Sequence, residues 1–369
     1  DEFVEKLKAK TETIKIGVTQ PLTGNFAADG NYVAQGAKLA ADDINKAGGV
    51  LGKKVELVVE DNKSNPTEAA ATAERLIVQD KVPVMMGAWG SSLTLAVMPK
   101  LEEYKVPMVV ETSSSGKITT SGNPYIFRIS PTSEMEAKAF APLAKKLGVK
   151  KADFLATNDD FGKGSMQEFT KMLKARGVKI GASETMAEDA TDMSAQLAKI
   201  KASGGDTIFV TTDVKQLTLI LKQAKDQQVT ARIITCGGSV SPDQLIEQAG
   251  DAANGSYHLV FFTPWFPDAV KNPDVAKKFA AAWSAAKYEV GGLTEGFRGW
   301  DGINTIAAAL KIAGKADPEA IRQALWKVHV KGVNGDIAFI KQGPAGKESG
   351  QSVPSVYLVK IEGGKVVKQ

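Results

Sequence analysis

One cysteine, Cys236, in 369 residues excludes an internal disulfide and any cysteine-built metal cage. Histidine is almost as scarce: His258 and His329 stand far apart and in no metal-ligand spacing, so the sequence implies no metal and no cofactor. No apolar run reaches the roughly 18 residues that a membrane-spanning helix requires. Neither sign of charge is in excess, with 46 Lys and Arg against 42 Asp and Glu for a net +4. The basic residues are scattered, which excludes a nucleic-acid footprint. Those at 1–10 alternate with acids and read as a solvated, fraying start. A first residue other than Met gives the expectation of a chain trimmed of a signal peptide.

Catalytic motifs are missing too. "GGSVS" at 237–241 has Ser241 where a nucleophile elbow needs its final glycine. "GKGS" at 162–165 lacks the upstream glycine and Lys-Ser adjacency of a phosphate loop, and no Gly-x-Gly-x-x-Gly follows the first strand. The expectation is a protein that is not an enzyme.

What is present is an ordinary soluble composition, 43% hydrophobic and 24% charged, arranged as alternating strands and helices. "TIKIGVT" and "KVELVVED" read as strands. A helix over 29–46 carries Val33, Ala37, Ala40 and Ile44 at spacings of three and four, and another opens at Pro66. "VPVMMG" and "VPMVVE" continue the series. The pattern restarts with a helix over 134–147 and the strands "KADFLAT", "GVKIGASE", "DTIFVTT" and "ARIITCGG". Strands alternating with helices require parallel sheets covered on both faces. The restart gives two doubly wound α/β lobes. Extended segments near 127–131, 259–264 and 329–336 supply three hinge crossings. Lobe one is expected over 12–129 plus 260–332, and lobe two over 130–259 plus 333–369.

Open α/β sheets bind ligands beyond the carboxyl ends of their strands. Six such ends here, "PLTGNFAADG", "GAWGSS", "ETSSSG", "TNDDFGKGS", "TTDVKQ" and "TCGGS", carry hydroxyls, glycines and aromatic rings. Any one is compatible with ordinary turn chemistry, in which Ser91 or Ser92 caps the following helix. Together they suit recognition of a small polar or anionic molecule in a cleft between lobes.

The opening 14–77, together with "GAWGSS", "NDDFGKGS" and "RGWDGI", resembles the type I periplasmic binding proteins, specifically the branched-chain amino acid receptors of ABC transporters. The resemblance implies a monomeric, extracytoplasmic receptor, periplasmic or lipid-anchored at a Gram-positive surface, that hands a small carboxylate to a membrane permease. It implies that Ser91, beside Ser92, binds the ligand carboxylate and that Trp89 lines the side-chain pocket. It further implies that Ser113 and Ser114 hold carboxylate and ammonium, and that Phe161 closes from the far lobe. Where leucine-binding members carry a glutamate for the ligand ammonium, this sequence has Gly237 and Gly238. Either Asp213, Glu295 or Asp29 supplies the counter-charge, or the ligand has no ammonium. Phe26, Trp89 and Phe161 could stack on an aromatic acid. An amino acid is expected ahead of an aromatic acid, and a ligand-sensing domain is the remaining class.

Overall fold

The computed structural model describes residues 2–5 and 12–369, so the charged start expected over 1–10 lies mostly outside the described residues. Thr13–Gln20 (β1) runs parallel to Lys54–Asp61 (β2), with Thr13 opposite Lys54 and Gln20 opposite Asp61. Met85–Met86 (β3), Met108–Val110 (β4) and Ile126–Arg128 (β5) complete a parallel run in the order β2-β1-β3-β4-β5. These short strands are wholly buried, which is why they read as apolar runs rather than alternating ones. Lys151–Thr157 (β6), Lys179–Met186 (β7), Thr207–Thr211 (β8), Arg232–Thr235 (β9) and Tyr257–Val260 (β10) repeat the plan as β7-β6-β8-β9-β10. The two expected doubly wound lobes are therefore present, each on its own sheet.

The C-terminal third departs from the expected boundaries. Val330–Gly332 (β11) and Gly335–Ile337 (β12) form a separate antiparallel hairpin where the third crossing was expected. Ile340–Gln342 (β13) and Ser349–Gln351 (β14) return to the first sheet, β14 lying parallel to β5 with Gly350 opposite Phe127. Gln351 fixes this edge by accepting a hydrogen bond from Arg128 Nε at 2.7 Å. Only Tyr357–Glu362 (β15) and Lys365–Lys368 (β16) join the second sheet, antiparallel beside β10. The expected lobe-two segment 333–369 thus shrinks to its last strands. The crossings fall at 129–132, 261–264 and 352–356.

Between the second and third crossings the chain builds the helices Pro273–Ala285, Leu293–Ala313 and Pro318–Leu325. Leu293–Ala313 is buried along nearly its whole first half and packs on Ala27–Lys46 of the first lobe. Their backbones touch at glycines. A Cβ on Gly36 would collide with the Gly296 carbonyl, and one on Gly299 with the Val33 carbonyl. This close crossing fixes the depth of the residues on Leu293–Ala313 that face the cleft. Gly299→Ala should lower stability by about 1–3 kcal/mol, the usual range for overpacking. Urea unfolding measures it; an unchanged midpoint would show that the two helices can part without cost.

Candidate ligand-binding site

Both sheets reverse strand order at the same place, between β1 and β3 and between β6 and β8. Such a reversal opens a crevice at the strands' carboxyl ends. The two crevices face each other across a pocket of about 240 Å³. Lobe one contributes Trp89, Gly90 and Ser91 after β3, and Thr112, Ser113 and Ser114 after β4. Lobe two contributes Phe161 after β6 and Gly237 and Ser239 after β9, while Arg298 enters from the helix Leu293–Ala313.

The expected serine cap is absent. The helix Ser91–Tyr104 is capped by Gly90, whose φ of 104° needs glycine, and no side chain takes its first N–H groups. Ser91 Oγ instead accepts from Ser115 N–H at 3.1 Å, joining the two serine loops. Ser113 Oγ donates to the Ala88 carbonyl at 2.6 Å, and Ser114 Oγ lies 3.4 Å from Ser133 Oγ. Arg128, fully buried, donates to the carbonyls of Ser113 at 2.9 Å and Ser115 at 2.7 Å. The loop is thereby held by its carbonyls from behind. Ser92 turns away from the pocket to Asp160 of the other lobe: its Oγ donates to Oδ2 at 2.9 Å and accepts from Asp160 N–H at 3.2 Å. Lys117 joins the same carboxylate at 3.1 Å, which makes a tie across the cleft mouth.

Three rings form the apolar wall. Phe26 packs on Trp89 with centroids 4.9 Å apart, and Trp89 meets Phe161 of the facing lobe at 6.2 Å. Gly237 has φ 94°, and a Cβ there would run into the Phe161 ring. The aromatic contact across the cleft therefore depends on a bare α-carbon at position 237.

Among the described residues Arg298 is the only charged one lining the pocket. Its Nε stands 3.1 Å from Glu295 Oε2 in an ion pair whose partners are each 1% exposed. Its Nη2 donates across the cleft to the Gly238 carbonyl at 2.6 Å. Glu295 also accepts from Trp89 Nε1 at 3.0 Å. Burial pushes Glu295 up to about 7, opposed by the Arg298 charge and the indole N–H. Asp213 caps its own helix by accepting from Gln216 N–H at 2.8 Å; burial raises it against that bond. Asp29 is raised well above the usual carboxylate range by burial, then by the charges of Glu295 and Asp213. Glu136, which the sequence reading missed, accepts from Gly237 N–H at 2.6 Å, and burial pushes it up to about 8.

Of the ten residues expected at the site, Trp89, Ser91, Ser113, Ser114, Phe161 and Gly237 line this pocket. Phe26, Ser92, Asp213 and Glu295 do not; they stand behind it, bonded to or packed on other protein groups. Arg298, Ser239 and Thr112 were not expected. Arg298 shares its helix with Asp301, Asn304 and Lys311, so nothing local in the sequence singles it out as a buried charge.

Two facing α/β lobes around a pocket of hydroxyls, rings and one guanidinium define a cleft-type solute receptor. Residues 13–365 match the family model described as "Periplasmic binding protein", and the chain belongs to that family. A leucine-, isoleucine-, valine-, threonine- and alanine-binding protein of Pseudomonas aeruginosa is 28% identical over 90% of this chain and 87% of its own. The branched-chain amino acid transporter substrate-binding protein LivJ of Streptococcus pneumoniae, solved with isoleucine, is 29% identical with a TM-score of 0.83, over 97% of this chain and 100% of its own. An ABC-transporter solute-binding protein of R. palustris, solved with 4-hydroxybenzoate, is 26% identical with a TM-score of 0.83, over 97% and 96%. These relatives are solute-binding proteins. No helix among the described residues is long and apolar enough to cross a membrane.

The buried acids give the folded chain a pH signature. Burial pushes Glu136 up to about 8, and Glu111 and Asp301 up to about 7. A folded-state value above the unfolded one means that the native chain holds protons the unfolded chain releases, so their stabilisation is complete below the ordinary carboxylate range and lost as pH rises through 7–8. The melting temperature of the ligand-free protein should fall between pH 5.5 and pH 8.5, and Glu136→Gln should flatten that fall. A calorimetric profile with no decline would contradict this assignment.

Proposed function

We propose that this protein is the extracytoplasmic receptor of an ABC importer, and that it captures a small carboxylate lacking an α-ammonium group for delivery to a membrane permease. The observation that carries this reading is the pocket lining, which offers hydroxyls, ring faces and one guanidinium but no carboxylate. A buried ammonium needs a counter-charge. Here the Gly237 position is bare against Phe161, Asp213 is spent on a helix cap, and Glu295 is engaged by Trp89 and Arg298. In this reading Ser91 and Ser114 donate to the carboxylate, helped by the uncapped N–H groups at the start of Ser91–Tyr104. Trp89 and Phe161, in contact with each other, form one apolar wall against which the ligand body packs as the lobes close.

The branched-chain amino acid relatives support a second reading, in which the ligand is an amino acid and the buried Asp29 answers its ammonium. Native mass spectrometry of the purified protein, with fragmentation of any retained molecule, separates the two: a nitrogen-free acid supports the first and an amino acid the second. With the ligand in hand, Ser91→Ala should weaken binding roughly ten-fold or more, since a hydrogen bond to a charged group is worth about 1.5–3 kcal/mol. Unchanged affinity by calorimetry would remove Ser91 from the site.

A further inference from the structure

The guanidinium of Arg298 is not satisfied by the protein around it. Its side chain is 1% exposed. Nη2 is taken by the Gly238 carbonyl at 2.6 Å, with Glu295 Oε1 at 3.5 Å. Nε lies close enough to Glu295 for an ion pair, yet the bond is not aligned, and Nη1 meets no acceptor among the described residues. Glu295 cannot easily turn to improve this, because its Oε2 is shared with Trp89 Nε1. Phe261 and Phe297 lie against the guanidinium, with ring centroids 5.3 and 5.5 Å away. A planar guanidinium makes hydrogen bonds in its own plane, and the edge that carries Nη1 is the one left open.

Two spaces border that group: the ligand pocket, and a cavity of about 290 Å³ behind it against the hinge, where Glu111 Oε2 and Asn334 Oδ1 are also without partners. The serine loops and the Trp89 and Phe161 rings line the ligand pocket and not the hinge cavity, so the partner of Nη1 is assigned to the pocket side. Accepting the reading of a carboxylate ligand held by the lobe-one serines, we propose that Arg298 is a specificity residue for a second oxygen acceptor on the same ligand. The class is therefore an amine-free acid with a hydroxyl, carbonyl or second carboxylate at its far end, such as a hydroxylated aromatic acid or a short dicarboxylate. A planar fork that presents donors to such an oxygen rejects analogues lacking it, because they leave a buried charged donor unpaired.

Calorimetric titrations of two matched pairs, benzoate with 4-hydroxybenzoate and butyrate with succinate, test this on the whole chain. In the unmodified protein, the member with the second oxygen should bind roughly ten- to a hundred-fold more tightly in at least one pair, the worth of a charge-assisted bond. Arg298→Met should abolish that preference. Arg298→Lys, which keeps a charge opposite Glu295 but loses the fork, should reduce it and guards against misfolding of the first variant. Ser91→Ala should weaken both members alike and leave the preference intact. No preference in the unmodified protein, or equal loss for both members in the Arg298 variants, would overturn the proposal; equal loss would assign Arg298 to the carboxylate itself or to the hinge cavity. An Arg298 effect on preference with no Ser91 effect would instead defeat the carboxylate reading and leave the Arg298 assignment standing.

Discussion

A fully buried ion pair on one helix, Glu295 with Arg298, is the interaction on which the closed site depends. Taking two charges out of water costs several kcal/mol per ion before their attraction is counted, and removing one partner alone typically costs about 3–5 kcal/mol. Such a pair is weak evidence for stability and stronger evidence for a positioning role. Glu295 orients the Trp89 indole from one side, and Arg298 reaches the Gly238 carbonyl of the facing lobe from the other. The glycine-mediated approach of Leu293–Ala313 to Ala27–Lys46 holds both at the required depth. Fold, aromatic wall and lobe-to-lobe contact thus converge on one turn of helix.

Around that pair the lobes meet through polar contacts that can break. Ser92 and Lys117 share Asp160 at one side of the mouth, and Gln244 donates to the Tyr32 hydroxyl at 2.6 Å at another, with Tyr32 in turn bonded to Glu289. Only Trp89 against Phe161 adds a ring contact between the facing loops. Hydrogen bonds of this kind are each worth about 0.5–1.5 kcal/mol, so no single one of them locks the two lobes together. Three extended crossings at 129–132, 261–264 and 352–356 allow rotation without breaking either sheet.

Much of the fold was legible because parallel strands buried on both faces are continuous apolar runs, as in "TIKIGVT" and "DTIFVTT". The last strands of lobe one were not. Ile340–Gln342 and Ser349–Gln351 are three residues each and largely polar; pairing with the edge of β5 makes the second a strand, and pairing with the second makes the first one. Ser91 was visible as a helix-start serine, but its tie to Ser115 and the glycine cap came from the geometry of two loops far apart in sequence. Asp213 and Glu295 were recognised as acids near the cleft; nothing local distinguishes a free carboxylate from one already capping a helix or pairing an arginine. Arg298 and Glu136 were overlooked for the same reason. A charged residue on a helix reads as solvent-facing until the packing around it is known.

In the proposed function this cleft holds a carboxylate and offers no partner to an ammonium. The most direct measurement compares ligands that differ only in the amine: L-phenylalanine with 3-phenylpropanoate, and L-leucine with 4-methylpentanoate, titrated calorimetrically at pH 7. The amine-free member of each pair should bind more tightly, because the ammonium would be desolvated against Arg298 with no free acid in the lining. Tighter binding of the amino acids would contradict it.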